Sequence, residues 1–494
     1  MSRIRTAVAL CGIAVLLAVA GCSGTPIANT AETGSAPPNI VFVLTDDLSM
    51  NLLPYMPHVQ QMQREGMSFS NYSVTDSLCC PSRSSIFTGK FPHDTGVFTN
   101  SAPDGGYPVF RQRGNENRTF ATALQDKGYR TAMMGKYMNE YPVPKKASGE
   151  APPVPPGWDE WDVAGNGYPE FGYTMNENGK LVHYGKKPKD YLTDVVSRKA
   201  NSFAKSAAQD GQPFMLETAT FAPHGPYTPA PRDKDKFPGL RAPRGPAFDQ
   251  LPADAPPWLA NREPLPQQRI QKIDKDFRKR AQSVQAVDAM IGRLQDTLRA
   301  TGQDKNTYFV FSSDNGFHMG EYRLASGKQT AFDTDVRVPL VVTGPGVPAG
   351  RGNPATASNI DLAPTFESLG GATPAPDADG RSLVPLLHGQ NPPGQPDTAL
   401  VEHHGPDTDP KDPDYPAKGS GNPPSYAAMR TAAFTYTEYD NGAKEYYDRR
   451  RDPGQLHNTY DALPAETRDR LHRQLTALRQ CHGTQSCTAA ARTG

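Results

Sequence analysis

Residues 39–44 of this chain are apolar without a break after Asn39, and the run stops against two adjacent acids, Asp46 and Asp47. A strand with one wet face alternates apolar and polar side chains. An unbroken apolar run bounded by Pro38 and Asp46 therefore fits a strand covered on both faces. Comparable runs occupy residues 130–134, 213–220, 307–312 and 338–342. Helical segments lie between them: residues 120–127, and the stretch near 278–301, where Val284, Val287, Met290, Ile291, Leu294 and Leu298 recur at helical spacing. Strands alternating with helices predict an α/β fold, a mostly parallel sheet with helices on both faces. Because these segments recur throughout, the 49 prolines and 44 glycines indicate long connections rather than disorder. Two of those connections, 141–158 and 227–266, are expected to shape a substrate pocket.

In an open α/β sheet, ligands bind beyond the carboxyl ends of the strands. This chain places polar residues there. Asp46 and Asp47 follow the first run, Lys136 follows 130–134, His224 follows 213–220, and Asp314 and Asn315 follow 307–312. Singly, an Asp-Asp or Asp-Asn-Gly reads as a helix cap or a turn. After buried strands, three carboxylates and an amide oxygen make an oxygen-only ligand set, suited to Ca2+ or Mg2+ rather than zinc.

The two ends of the chain carry other signals. Arg3 and Arg5 precede an apolar stretch, residues 7–20. It is shorter than the roughly 20 residues a membrane-spanning helix needs and reads as a signal-peptide core. Val19-Ala20-Gly21-Cys22 has the form of a bacterial lipobox. The expectation is a signal peptide over 1–21 and a Cys22 lipidated by the lipoprotein processing machinery. A flexible tether over 22–38 would then hold an extracytoplasmic protein on the bacterial cell membrane; simple secretion is the alternative. A catalytic domain over 39–381 is expected to precede a small subdomain over 382–494. That subdomain would hold antiparallel strands at 428–434 and 444–448 and a helix at 464–479, with Leu471, Leu475 and Leu478 on one face. Cys481 and Cys487 are expected to pair in an oxidising compartment. Lys and Arg total 52 against 52 Asp and Glu, with no long charged block, so nothing points to nucleic acid.

Cys79-Cys80-Pro81-Ser82-Arg83, followed by Thr88-Gly89-Lys90, is the most specific motif. Its plain reading is a buried cysteine pair at a loop-to-helix turn. It resembles the signature of the type I sulfatases, in which the first cysteine is oxidised to Cα-formylglycine. Further segments extend the resemblance over nearly all of the chain beyond the signal: 69–83, 135–141 (Gly-Lys-Tyr-Met-Asn-Glu-Tyr), 189–194, 222–226, 313–316, 337–340 and 452–458. They point to the alkaline-phosphatase-like superfamily, and within it to the N-acetylglucosamine-6-sulfatase and extracellular heparan 6-O-endosulfatase group.

The resemblance implies a sulfuric ester hydrolase acting on 6-O-sulfated glucosamine-type sugars, matured by a formylglycine-generating enzyme. Asp46, Asp47, Asp314, Asn315 and the residue formed from Cys79 would hold Ca2+. Arg83 would hold the formylglycine, Lys136 and Lys328 the sulfate, and His224 the leaving oxygen. Each role has a physical reason: lysines clamp anionic oxygens as point charges, and an imidazole titrates near working pH and can protonate a departing alcohol. A helix beginning near Pro81 would aim its amides at the same anion.

One position departs from the family pattern. Many sulfatases carry a histidine two residues after the lysine, where this chain has Met138. His93 and His318 are candidate auxiliaries, each with a structural reading of equal standing, and His403 and His404 are read as structural. Other readings stay open. The chain could be a broad arylsulfatase, or a phosphate or phosphonate ester hydrolase on the same scaffold. A non-catalytic surface binder of sulfated glycans is the alternative outside enzymes.

Overall fold

β1 (Asn39–Thr45) is buried along its length, and its side chains alternate between two cores. Ile40, Phe42 and Leu44 enter one, Val41 and Val43 the other. The computed structural model describes residues 36–492 except 409, 411 and 413; the expected signal segment and Cys22 lie outside the described residues. The strands that follow are β2 (Met67–Ser73), β3 (Arg130–Gly135), β4 (Glu160–Ala164), β5 (Thr174–Glu177), β6 (Lys180–His183), β7 (Phe214–Ala219), β8 (Thr307–Ser313), β9 (Leu340–Thr343) and β10 (Arg351–Ser358). They form one sheet in the order β10-β2-β9-β8-β1-β7-β3-β4-β5-β6. The centre, β8-β1-β7-β3-β4, is parallel throughout. Only β9 and β5 run against the rest.

Helices cover both faces, as the alternation of segments predicts. Cys79–Thr88, Phe120–Asp126 and Leu362–Leu369 pack on the Phe42 side. Pro57–Glu65, Leu192–Asp210 and Gln267–Ala300 pack on the Val41 side. The last is longer than expected, with 34 residues starting directly after Pro266. Its first turns carry Arg269, Lys272 and Lys275, which dilute the apolar period but favour helix. Among the described residues, no helix is long and apolar enough to cross a membrane.

A second sheet, antiparallel, holds β11 (Thr398–His403), β12 (Tyr426–Thr431), β13 (Phe434–Tyr439) and β14 (Lys444–Asp448) in that order. The helix Ala465–Arg479 lays Leu471, Leu475 and Leu478 against Leu400, Met429 and Tyr436. Cys481 and Cys487 are disulfide-bonded. The expected strand over 428–434 is in fact two strands. The Thr431 hydroxyl accepts the N–H groups of Ala433 and Phe434 at 3.0 and 2.8 Å, which turns the chain within an otherwise apolar stretch.

Asp333 ties the two sheets together. Its carboxylate accepts from Arg430 on β12 at 2.9 Å and from Arg449 at 2.6 Å. Burial alone would raise its pKa, but the two guanidinium groups outweigh burial and hold it below the ordinary 3.8. A depressed folded-state pKa gives stability that is complete above the unfolded value and lost as pH falls through the folded one. The protein should therefore lose stability below about pH 4, and Asp333→Asn should be destabilised at neutral pH yet flatter across the acid range. Thermal unfolding of both proteins against pH checks this, and parallel pH profiles would refute it.

Candidate active site

Parallel register sets the site. Thr45 pairs with Ser313, so the residues after β1 and β8 emerge side by side. Consecutive strand residues normally point to opposite faces. Asp47 adopts a left-handed conformation, φ 64°, which asparagine and aspartate tolerate best among residues with a side chain. The turn brings Asp46 and Asp47 towards one centre, and the Asp47 N–H donates to Asp314 Oδ1 at 3.1 Å. At the end of β3, Gly135 has φ 106°, and a Cβ there would lie 1.9 Å from the Ala219 carbonyl oxygen. Only glycine allows the approach that seats Lys136, whose N–H donates to that oxygen at 2.8 Å.

The helix Cys79–Thr88 carries the signature into this centre, beginning at Cys79. The Cys79 thiol donates to Asp46 Oδ1 at 3.1 Å, and Lys328 Nζ lies 2.9 Å from the sulfur. Ligand atoms of Asp46, Asp47, Cys79 and Asp314 all lie within 4.8 Å of one another, and all four residues are buried. Arg83, one helical turn along, pairs with Asp314 at 2.9 Å, both side chains fully buried, and donates to the Lys136 carbonyl at 2.8 Å. Lys136 pairs with Asp46 at 2.6 Å. Lys328 pairs with Asp47 at 2.7 Å and with Asp414 at 2.8 Å.

Electrostatics follow from this packing. Burial would lower both lysine pKa values, but the neighbouring carboxylates outweigh it and raise them well above the ordinary range. Burial pushes the Cys79 thiol up, and the carboxylates of Asp314, Asp414 and Asp46 add to it. His224 faces acceptors on both ring nitrogens, the Gly225 carbonyl at 2.8 Å and Asp414 Oδ1 at 2.5 Å. Two acceptors call for two N–H groups, hence an imidazolium. Burial opposes that charge, but Asp47, Asp414 and Asp46 prevail and raise the pKa to about 9.

A divalent cation suits this donor set. Three buried carboxylates converge, and Asn315 Oδ1 is buried without a hydrogen-bond partner while its Nδ2 donates to Asp47 at 2.7 Å. An orphaned buried amide oxygen beside three carboxylates is a hard, oxygen-only set, as Ca2+ and Mg2+ require.

The structure thus brings Asp46, Asp47, Cys79, Arg83, Lys136, His224, Asp314, Asn315 and Lys328 together. It does not bring His93 there. That ring is held by Glu402 at 2.7 Å and the Cys481 carbonyl at 2.9 Å, and lines a separate cavity of about 240 Å3. His318 is fully buried between Asp335 at 2.9 Å and the Ser420 carbonyl at 2.7 Å, so its nitrogens brace the loop ahead of Lys328. His403 and His404 pair with Asp76 and Asp104. Met138 puts its sulfur 3.6 Å from Cys80 Sγ, so no imidazole occupies the position two residues after Lys136.

Four contributors were not singled out from the sequence. Asp414 sits between Lys328 and His224. Asn100 accepts the Cys80 N–H at 2.9 Å and donates to Asp414 at 2.6 Å. Tyr168 lies under both His224 and Lys136, with ring centroid distances of 4.5 and 5.1 Å. Arg280, fully buried on the long helix, donates to the Asp47 carbonyl at 2.5 Å and the Pro223 carbonyl at 3.4 Å. Only Arg280 left a trace, as a charge on the apolar face of a helix. Two cavities open on the cluster: about 400 Å3 lined by Lys136, Tyr168, Asn100, Lys145 and Asp412, and about 150 Å3 lined by His224, Lys328, Asp414 and Tyr227.

Comparison with known proteins agrees with this geometry. The family model "Sulfatase" matches residues 38–372, and "N-sulphoglucosamine sulphohydrolase, C-terminal" matches 320–481. The chain is 33% identical to human N-acetylglucosamine-6-sulfatase, over 95% of this chain and 89% of that one. It is 36% identical to an extracellular sulfatase homologue of Drosophila melanogaster, over 74% of this chain and 33% of that one. A solved structure of a protein in complex with its substrate D-glucosamine-2-N,6-O-disulfate shares the fold, with TM-score 0.75 and 24% identity over 89% of this chain and 97% of that one. On the family match and the identity to the human enzyme, the chain belongs to the sulfatase family, whose members are sulfuric ester hydrolases.

Proposed function

We propose that the chain removes 6-O-sulfate from glucosamine-type sugars, using formylglycine formed from Cys79 and a bound Ca2+. The observation that carries the reading is the convergence of Lys136, Lys328 and an imidazolium His224 on the Cys79 sulfur and its carboxylates. Three buried cations around one nucleophile position suit an anionic ester and the negative charge that grows on its bridging oxygen. Similarity to N-acetylglucosamine-6-sulfatase over most of both chains supports the sugar class.

The roles follow from position. Lys136 and Lys328 hold the peripheral ester oxygens. Arg83, neutralised by Asp314 and fixed to the Lys136 carbonyl, holds the first turn of the signature helix in place. His224 gives its Nε2 proton to the departing sugar oxygen. The hydrated aldehyde of formylglycine supplies a hydroxyl nucleophile that a thiol lacks. Asp46, Asp47, Asp314 and Asn315 would hold the Ca2+, which favours ionisation of that hydroxyl and polarises the ester. We assign residues 39–381 to the catalytic part and 382–494 to the smaller one. An extracytoplasmic location fits the extracellular relative and a Cys22 lipid anchor.

The proton role of His224 has a specific test. A sugar alkoxide is a poor leaving group and needs the proton; a nitrophenolate is a good one and barely does. His224→Ala should lower kcat/KM on a 6-O-sulfated glucosamine by about 10^2–10^4-fold and on nitrophenyl sulfate far less. Equal losses on both would mean that His224 binds sulfate rather than donating a proton. Turnover of aryl sulfate with none of any sulfated amino sugar would make the enzyme a plain arylsulfatase. Faster cleavage of a phosphonate ester would favour that chemistry on this scaffold.

A further inference from the structure

One carboxylate oxygen stands where an ester oxygen has to go. Asp414 Oδ1 takes both the His224 Nε2 contact at 2.5 Å and the Lys328 Nζ contact at 2.8 Å. Its Oδ2 takes Asn100 Nδ2 at 2.6 Å. The side chain is 2% exposed. Burial would raise its pKa, but Lys328 and His224 outweigh burial and hold it well below the ordinary carboxylate range. If His224 protonates a leaving oxygen while Lys328 clamps the same sulfate, substrate oxygens must accept these same two N–H groups. Asp414 and the ester then compete for one place.

We infer that Asp414 is a resident stand-in for the substrate anion, a positioning residue that holds His224 and Lys328 in their working geometry and surrenders them when the sulfate ester enters. The inference rests on the proposed roles of His224 and Lys328. Charge supports it. Within the cluster, Arg83 holds Asp314, Lys136 holds Asp46, Lys328 holds Asp47 and Asp414, and His224 holds Asp414. Of the four carboxylates, Asp414 is the one outside the oxygen-donor set around Asn315. With Asp47 it faces the cavity lined by His224, Lys328 and Tyr227, where an ester would enter. Lys328 and His224 lose an anionic acceptor when Asp414 leaves and regain one only when another anion arrives. That makes the resting site selective for anionic esters and sets a cost on substrate and product binding alike.

The test is Asp414→Asn, with Asp414→Ala beside it, in the full-length protein. Charge-assisted hydrogen bonds of this kind are strong enough that losing the competitor should tighten inorganic sulfate binding by at least about tenfold. KM for a sulfate ester should fall in parallel. Binding of sulfate by calorimetry is measured together with turnover and thermal unfolding. A collapse of kcat with KM and sulfate affinity unchanged would show Asp414 to be a permanent partner of His224 and would overturn the inference. Unchanged sulfate affinity in both folded variants would overturn it as well. If the unaltered protein cleaves no sulfate ester but the variants bind sulfate more tightly, the proposed function fails and the inference about Asp414 stands.

Discussion

Cys79→Ala should abolish sulfate ester hydrolysis, and Cys80→Ala should not. Neighbouring residues on a helix diverge by about 100°, so two adjacent cysteines cannot serve one centre. The Cys79 sulfur lies 3.1 Å from Asp46 and 2.9 Å from Lys328, inside the cluster. The Cys80 sulfur points at Met138, 3.6 Å away. Loss of a nucleophile that acts as a unit with its surroundings costs on the order of a millionfold in kcat, so Cys79→Ala should fall to the assay floor with its fold intact. Cys80→Ala should keep much of the activity. The measurement is kcat/KM for both variants, with peptide mass mapping of the active protein to show the thiol lost at Cys79 alone. An active enzyme that keeps an ordinary Cys79 thiol would remove formylglycine from the mechanism.

Asp314→Ala should cost both stability and metal. Asp314 is fully buried and serves three partners. Oδ2 accepts from Arg83, and Oδ1 accepts the N–H groups of Asp47 and Asn315 at 3.1 and 2.8 Å. Removing it strands the Arg83 guanidinium in the core. Breaking a buried pair from one side typically costs about 3–5 kcal/mol, a large part of the margin of an ordinary domain. The same change removes one of the three carboxylates of the proposed cation site, so bound divalent metal and activity should fall together. Asp314→Asn keeps an acceptor for the Asp47 and Asn315 amides and should lose less stability while still losing metal. Denaturant unfolding gives the stability, and elemental analysis of the purified variants gives the metal. An Asp314→Ala protein with full activity and undiminished metal would refute the ligand assignment.

Much of this site is legible in the sequence. The run ending at Asp46, the Lys136 and His224 positions after two other runs, and the Asp314-Asn315 pair are local patterns. Apolar continuity marks a strand buried on both faces, and a polar residue at its carboxyl end has few places to go but the crevice of the sheet. The spacing of Cys79, Pro81 and Arg83 is equally local, because one turn of helix fixes the cysteine and the arginine relative to each other. The strands β2, β4, β5, β6 and β10 were not legible. Several are half-polar, such as β10 with Arg351 and Asn353, and lie towards the sheet margins, where a strand needs no continuous apolar run.

The sequence alone determined the architecture and where the Cys79 signature and the acidic residues after the strands fall, because these depend on periodicity and spacing within a few residues. Tertiary structure decided the rest. Locally His224 stands out only by following a buried run; what separates it from His93 and His318 in space is which groups meet each ring. His224 meets Asp414 beside the carboxylate cluster, whereas His93 meets Glu402 and the Cys481 carbonyl and His318 meets Asp335 and the Ser420 carbonyl. Asp414 lies 367 residues beyond Asp47 in a proline- and aspartate-rich stretch without any period, and only chain closure over the sheet seats it between Lys328 and His224. Arg280 likewise became a brace for Asp47 only when its helix packed against the sheet. A charge partner is chosen by distance in space, and spatial proximity between remote loops is the one quantity that a linear pattern does not carry.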